Sequence, residues 1–242
     1  MKITGDNLVL EVTRRCNMNC AHCMRGEAQN KDITREIIDR ALSDIDSIGT
    51  LTFTGGEPTL NVDAIQYTLD VCKAKNIDVF GFYIVTNGKI VPDEFLVTCL
   101  RWHAYTIKCS GDENYSGVAL SRDNFHDAIP DENILLLQTL ACFRPEDKHT
   151  DFTKYGVNPI GRAKHLTNMP VNKYKHQTLV DNFVQSHDNG NIMTETMTVT
   201  VNGEILSDCD YDYNDIEQIT VGSVFDPNWL ETHMSVYHAD DM

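Results

Sequence analysis

The chain has 242 residues, and its 36 Asp and Glu against 20 Lys and Arg give a formal net charge of −16. This length fits one large domain, or one domain with a small appendage. The negative charge repels phosphate and argues against a general nucleic-acid binder, and no apolar run approaches the about 20 residues that cross a bilayer. The amino-terminal residues lack the basic and then apolar pattern of a secretory signal, so we expect a cytoplasmic protein without a membrane segment.

Strand and helix patterns alternate along the first two thirds of the chain. The first helix is predicted from Thr34 as its cap and from an apolar stripe that runs to Ile48 and stops at Gly49. In chain order the predicted elements are a strand at 7–13, a helix at 34–48, a strand at 51–54, a helix at 62–75, a strand at 79–86, a helix at 92–102, a strand at 104–109, a short helix at 124–129, a strand at 133–142, a helix at 145–154 and a strand at 155–159.

Such repeated strand–helix units predict a parallel sheet whose active face lies at the carboxyl ends of the strands. About six units fit before residue 160, whereas a full eight-unit barrel takes about 250 residues. We therefore expect an α/β fold, an incomplete (β/α)6 TIM-like barrel over residues 1–165.

Residues 166–242 are expected to form a small C-terminal extension. A helix is predicted at 172–187, and the alternating segment 193–201 is predicted to pair with 204–208 through a tight turn at Asn202 and Gly203. The acidic run at 208–215 and the pair Asp240 and Asp241 are compatible with attraction of a basic substrate or with a solvated face.

Three of the eight cysteines cluster on the loop that follows the first strand. Cys16, Cys20 and Cys23 are spaced by four and three residues, so their thiolates can converge on one soft metal centre. An iron–sulfur cluster and a zinc ion, with His22 or a distant cysteine as fourth ligand, are equally compatible with this triplet. Cys72, Cys99 and Cys142 are predicted to be core thiols, and Cys109 a structural one.

A second motif follows the second strand, where the sequence reads Gly55, Gly56, Glu57 and Pro58. A strand that ends in two glycines allows close approach to its backbone. Glu57 supplies a carboxylate for a cationic group, and Pro58 fixes the turn. Two glycines alone would equally fit an ordinary strand–helix turn.

Together with the strand-ending Thr86, Asn87 and Gly88, these motifs resemble the radical S-adenosylmethionine (radical SAM) superfamily over residues 7–163. The resemblance implies that Cys16, Cys20 and Cys23 ligate a [4Fe–4S] cluster whose open iron chelates S-adenosylmethionine. An electron from the reduced cluster would then produce a 5′-deoxyadenosyl radical that abstracts hydrogen from a substrate. A low-potential donor such as flavodoxin or ferredoxin would supply the electron.

The same resemblance implies a set of cofactor-binding residues. It places His22 near the adenine, and Gly55, Gly56 and Glu57 at the methionyl amino group. Thr86 and Asn87 would lie close to the cofactor, Lys108 at the methionyl carboxylate, and Ser110 and Asp112 at the ribose, as a Ser-x-Asp pair after the fourth strand. Within the segment 157–163, Pro159 would lie at the adenine and Arg162 at a carboxylate. For Thr86 and Asn87 an ordinary turn, and for Lys108 a solvated side chain, stay open as alternatives.

The hairpin and the segment 220–225 resemble the start of the Cys-rich SPASM/twitch extension found in the subgroup that includes peptide-modifying members. Those relatives hold auxiliary clusters there, but this chain has Cys209 as its last cysteine, so we do not expect a complete auxiliary cluster. The first hypothesis is thus a radical SAM enzyme that acts on a peptide or protein. The alternatives are an activating enzyme for a glycyl-radical partner protein and a non-enzymatic zinc or iron–sulfur module.

Overall fold

The computed structural model describes residues 2–144, 152–167, 169–172, 184–186 and 192–228. Its strands are β1 (Ile3–Thr13), β2 (Ile45–Gly55), β3 (Asp78–Thr86), β4 (Gly117–Leu120), β5 (Val184–Ser186), β6 (Ile192–Val199), β7 (Glu204–Leu206) and β8 (Thr220–Ser223). Its α-helices are α1 (Arg35–Ala41), α2 (Val62–Lys75), α3 (Asp93–Ser110), α4 (Asp131–Gln138) and α5 (Phe152–Tyr155), and short 3₁₀ helices lie at Pro58–Asn61, Gly161–His165 and Glu217–Ile219. Within these residues, no helix combines the length and apolar character needed to cross a membrane.

All eight strands belong to one sheet in the order β4-β3-β2-β1-β6-β7-β8, with β5 paired to β6. Strands β1 to β4 are parallel, and β6 pairs parallel with β1. The described strands do not close into a barrel. The α/β class and the partial-barrel architecture predicted from the sequence are confirmed.

The two faces of the parallel strands differ in chemistry. Alternate residues such as Leu10, Leu51 and Phe82 are buried in the main core with the helices. Trp102 of α3 is fully buried there, and its ring centroid lies 5.4 Å from that of Phe53. Residues of the opposite parity, such as Thr54, instead face a cavity at the carboxyl ends of the strands.

The helix predicted at 34–48 ends early, because Ile45 and Ile48 belong to β2. Their spacing of three residues continues the helical stripe, but it also fits one face of an irregular strand. The pairing of β1 with β2 shifts register between Ile3 and Thr4, so both isoleucines are buried. A bulged strand and a helix therefore give the same local pattern here.

The strand predicted at 104–109 is wrong, because these residues complete α3. The buried positions Cys99, Trp102 and Thr106 continue a helical stripe that ends at Gly111, whose φ is 72°. The strand predicted at 133–142 is also wrong, since most of it is α4. A parallel bridge between Val118 and Phe143 follows α4 and stands where the next strand of a barrel would be.

Three weaker predictions also need correction or lie partly outside the described residues. Residues 124–129 form turns and coil rather than a helix, and of 155–159 Val157 alone forms a bridge, to Val171. In the helix predicted at 145–154, residues 145–151 lie outside the described part, and Phe152–Tyr155 is helical. In the helix predicted at 172–187, residues 173–183 and 187 lie outside the described part of the chain, and Val184–Ser186 is a strand.

The predicted hairpin is confirmed, with β6 and β7 antiparallel around a turn in which Gly203 has a φ of 83°. The pairing of β6 with β1 was not predicted. The sheet thus continues across the boundary expected near residue 165.

Candidate active site

A cavity of about 530 Å³ lies at the carboxyl ends of the parallel strands. Its wall includes the strand ends Gly55, Thr86 and Leu120. Side chains from the loop after β1 complete the wall. A pocket of this size and position is where parallel α/β sheets bind small molecules.

The three clustered cysteines all line this cavity as half-buried free thiols. Burial, together with the negative charge of neighbouring groups, raises the pKa of Cys20 to about 11. Burial also raises the pKa of Cys16. A bound metal would reverse this effect, because it stabilises the thiolate directly.

The spread of the sulfur atoms bears on the kind of metal. Tetrahedral Zn–S bonds of about 2.3 Å would hold sulfur ligands about 3.8 Å apart. Among the described residues, one set of three His, Cys, Asp or Glu ligand atoms lies within 4.8 Å of one another, and that set contains no cysteine. The three sulfurs are therefore not all within 4.8 Å of one another, a wider spread than one tetrahedral zinc ion would hold.

The glycine pair packs against the cysteine loop. The amides of Gly56 and Glu57 donate to the carbonyls of Thr13 and Arg15, each at 2.8 Å. A Cβ atom on Gly55 would lie 2.0 Å from the Thr13 carbonyl oxygen, and one on Gly56 would lie 2.2 Å from that of Arg15. The glycines are thus required by close contact between the end of β2 and the start of the loop.

Glu57 joins the end of β2 to the end of β3. Its buried carboxylate accepts hydrogen bonds from Thr86 Oγ1 and the Asn87 amide, each at 2.8 Å, and from the Thr59 amide at 3.0 Å. Burial raises the pKa of this carboxyl. Three protein donors already engage this carboxylate, which the sequence had suggested for a cationic group.

Asn87 connects β3 to the cysteine loop. Its Nδ2 donates to Asn17 Oδ1 at 2.8 Å and lies 4.0 Å from Cys16 Sγ. Asn17 Nδ2 is buried and has no hydrogen-bond partner among the described residues. This orphaned donor, the free thiols and the adjoining cavity fit a sulfur-rich cluster with a second ligand beside it.

Arg162 lies at the cysteine loop, but its side chain is engaged by protein groups. Its amide donates to the Cys23 carbonyl at 2.8 Å, and its Nε donates to the Cys20 carbonyl at 3.0 Å. The guanidinium also contacts Asn19 and Glu27. Pro159, in the same segment, is half-buried and is not among the residues that line the cavity.

His22 belongs to a polar and aromatic cluster near the end of β4. Its Nε2 lies 3.2 Å from Asp123 Oδ2, which also lies 2.7 Å from His126 Nδ1. The rings of Phe125 and Phe152 each lie 4.9 Å from that of His22. Although burial alone would raise it, the pKa of Asp123 lies below its usual range, because His126, His22 and the Phe125 amide hydrogen-bond its carboxylate.

The structure separates Lys108, Ser110 and Asp112 from this site. They lie at or just after the end of α3, which runs back toward the amino ends of the strands, and none of them lines the cavity. Ser110 Oγ donates to the Thr106 carbonyl at 2.8 Å, as expected of a helix end. The Ser-x-Asp pattern that follows the actual β4 is Ser121 and Asp123, and both line the cavity.

Ser121, Asp123 and His126 were not among the site residues predicted from the sequence. The signal was present as a second Ser-x-Asp pattern, but the wrong strand assignment directed attention to the first.

Of the remaining cysteines, Cys72, Cys99 and Cys142 are buried in the core, as predicted. Cys209 is half-buried, and no set of three metal-ligating atoms among the described residues includes it.

The comparisons with known proteins agree with this geometry. The model of the radical SAM superfamily matches residues 10–98. The GTP 3′,8-cyclase of Clostridium acetobutylicum is 34% identical over 93 residues, which are 36% of this chain and 29% of the relative. An uncharacterized protein of Methanocaldococcus jannaschii is 38% identical over 94 residues, 36% of this chain and 32% of that protein. The matched segment thus spans about a third of these curated relatives.

Two solved structures share the fold at low sequence identity. SuiB of Streptococcus suis, bound to the precursor peptide SuiA, superposes with a TM-score of 0.55 at 14% identity, covering 96% of this chain and 65% of SuiB. The structure of anSMEcpe with bound AdoMet and the Cp18Cys peptide gives a TM-score of 0.57 at 13% identity, covering 97% of this chain and 82% of anSMEcpe.

Proposed function

We propose that the protein is a radical SAM enzyme that abstracts hydrogen from a peptide or protein substrate, and its residues 10–98 match the model of that superfamily. The cofactors of the family are a [4Fe–4S] cluster and S-adenosylmethionine, which together supply a 5′-deoxyadenosyl radical by reductive cleavage of the sulfonium. The observation that carries the proposal is the placement of three free thiols in one cavity with the diglycine edge and the ends of β3 and β4.

Each part of the cavity wall has a proposed task. Cys16, Cys20 and Cys23 hold the cluster, and the backbone of Gly55 and Gly56 lies beside the methionyl group. The residues that orient the adenosine are His22, Ser121 and Asp123, which line the cavity near the end of β4. The buried hydrogen bonds of Glu57 and Asn87 keep these strand ends in fixed positions.

A peptide or protein substrate is supported by the two structural neighbours that were solved with peptides. The β6–β7 hairpin and the segment around Arg162 also favour a peptide-modifying enzyme over an activating enzyme for a glycyl-radical protein. A zinc module is less well supported, because it assigns no role to the cavity. We propose a flavodoxin or ferredoxin as the electron donor.

The metal content of the anaerobically reconstituted protein tests the cofactor part of the proposal. About four irons and four sulfides per chain are expected, together with binding of S-adenosylmethionine. One zinc ion without sulfide would contradict it. With a candidate peptide carrying deuterium, transfer of the label into 5′-deoxyadenosine would support a peptide substrate, and label transfer from a glycyl-radical partner protein instead would support the activating enzyme.

A further inference from the structure

Arg25 is a buried cation in the wall of the cavity. It follows Cys23 by two residues, its relative exposure is 8%, and its side chain lines the same cavity as the three thiols. Removing a guanidinium from water is costly unless another charge compensates it. The charge on Arg25 can therefore be balanced by a bound ligand as well as by groups of the protein.

Protein contacts hold the guanidinium in one orientation. Its Nη1 donates to the Tyr211 carbonyl at 3.2 Å, and its Nη2 donates to Thr54 Oγ1 at 3.4 Å. Its Cζ also lies 3.8 Å from the centroid of the Tyr211 ring. The loop after β7 and the end of β2 thus preorganise the group, which reduces the entropy lost when it binds a ligand.

No carboxylate lies within 4.0 Å of Arg25 in the part of the chain that the structure describes. Glu11 acts on it electrostatically, but the carboxylate of Glu11 accepts from Arg14 Nε at 3.0 Å and from the Val201 amide at 2.9 Å. A guanidinium has five N–H donors, and the contacts named above use two of those on Arg25. Donors therefore remain for a group in the cavity.

We propose that Arg25 binds an oxyanion of the second substrate, a carboxylate or a phosphate, so that this substrate is an anion at the bound end. A fixed guanidinium is well suited to carboxylate and phosphate because it can donate two parallel hydrogen bonds. This inference rests on the proposed function. It adds that the substrate is recognised by charge on the side of the cavity where Arg25 and Thr54 lie.

The methionyl carboxylate of S-adenosylmethionine is the other possible source of an oxyanion. The proposed position of the methionyl group, beside Gly55 and Gly56, directly follows Thr54 on β2. The test below distinguishes the two sources, because the anions are titrated into protein that already holds S-adenosylmethionine.

The test uses the cluster-loaded protein and anaerobic calorimetry. Inorganic phosphate and acetate are titrated into protein that is saturated with S-adenosylmethionine, for the wild type, Arg25→Met and Arg25→Lys. Arg101→Met is the matched control, because it removes the same charge from an exposed position on α3 that does not line the cavity. Affinity for S-adenosylmethionine is measured separately on each variant.

The expected result is that at least one of the two anions binds the saturated wild type, and that Arg25→Met weakens this binding at least tenfold. Arg25→Lys should give an intermediate loss, and Arg101→Met should have no effect. Affinity for S-adenosylmethionine should stay within threefold. If Arg25→Met does not load a cluster, the anion affinity of Arg25→Lys tests the inference instead, because lysine keeps the positive charge and removes the paired N–H donors of the guanidinium.

Three results would overturn the inference. The first is binding of neither anion by the saturated wild type. Loss of affinity for S-adenosylmethionine, with anion binding unchanged, would assign Arg25 to the methionyl carboxylate. Reduced iron content with unchanged anion binding would show that Arg25 instead balances the charge of the cluster. Failure of the proposed function would be seen differently, as absent cleavage of S-adenosylmethionine by the wild type.

Discussion

At the end of β2, Gly55 has a φ of 137° and lies against the backbone of Thr13. We predict that Gly55→Ala lowers the free energy of unfolding by about 2–4 kcal/mol, since a Cβ there meets a carbonyl oxygen that cannot move freely. Gly5→Ala is the control, because its added Cβ would make an ordinary 3.8 Å contact with Thr194. Denaturant unfolding measures both, and equal losses in the two variants would contradict the close-packing account.

The carboxylate of Asp123 gives a prediction about pH. Hydrogen bonds from two histidines and an amide lower its pKa in the folded state, so its stabilising contribution is present above the unfolded pKa, about 4, and is lost as pH falls further. The difference in unfolding free energy between the wild type and Asp123→Asn should therefore narrow as pH falls below about 4. A difference that stays constant down to pH 3 would show that the carboxylate is not held this way.

Several site residues could be recognised from their sequence neighbours. The cysteine triplet, the diglycine and Asn87 follow strands directly, so their meeting at one edge follows from the parallel sheet. Arg25 could not be recognised, because its burial depends on Tyr211, which is distant in sequence. His126 also gave no local signal that distinguishes a binding loop from an ordinary polar one.

Helix α3 shows how secondary structure was misassigned from the sequence. Residues 104–109 mix apolar and polar side chains in a way that allows a strand, and the helix is fixed by packing of Trp102 and Tyr105 against the sheet and α2. The β-branched content of a short segment is a weak guide when a buried stripe passes through it. The error moved the expected fourth strand and, with it, the expected Ser-x-Asp pair.

Trp102 tests the packing of this helix. It is fully buried, and its Nε1 donates to the Ile65 carbonyl at 3.1 Å. Trp102→Ala should lower the free energy of unfolding by about 3–5 kcal/mol, because it opens a large cavity and removes the hydrogen bond to Ile65. Leu100→Ala, at an exposed position of the same helix, should change it by no more than about 0.5 kcal/mol. Thermal or denaturant unfolding measures both variants, and equal losses of unfolding free energy in Trp102→Ala and Leu100→Ala would contradict the observed orientation of α3.

In the whole molecule, the parallel sheet order and the position of the cavity follow from the alternation of strands and helices. The pairing of β6 with β1 does not follow from that alternation. The alternating pattern of β6 predicts a strand and its hairpin with β7, but it does not identify the strand that pairs with the other edge of β6. That pairing brings the chain after β7 over the cysteine loop, where the Tyr213 amide donates to the Arg25 carbonyl at 3.1 Å. The C-terminal extension thereby contacts the loop whose side chains line the cavity.

The central claim is that three thiols in this cavity support reductive cleavage of S-adenosylmethionine. The most direct measurement is 5′-deoxyadenosine formed by the anaerobically reconstituted protein with dithionite and S-adenosylmethionine. The wild type and the Cys109→Ala control, whose thiol lies on α3 outside the cavity, should both form the product. Cys20→Ala should form none while keeping its fold, and product formation by Cys20→Ala at the wild-type rate would contradict the account.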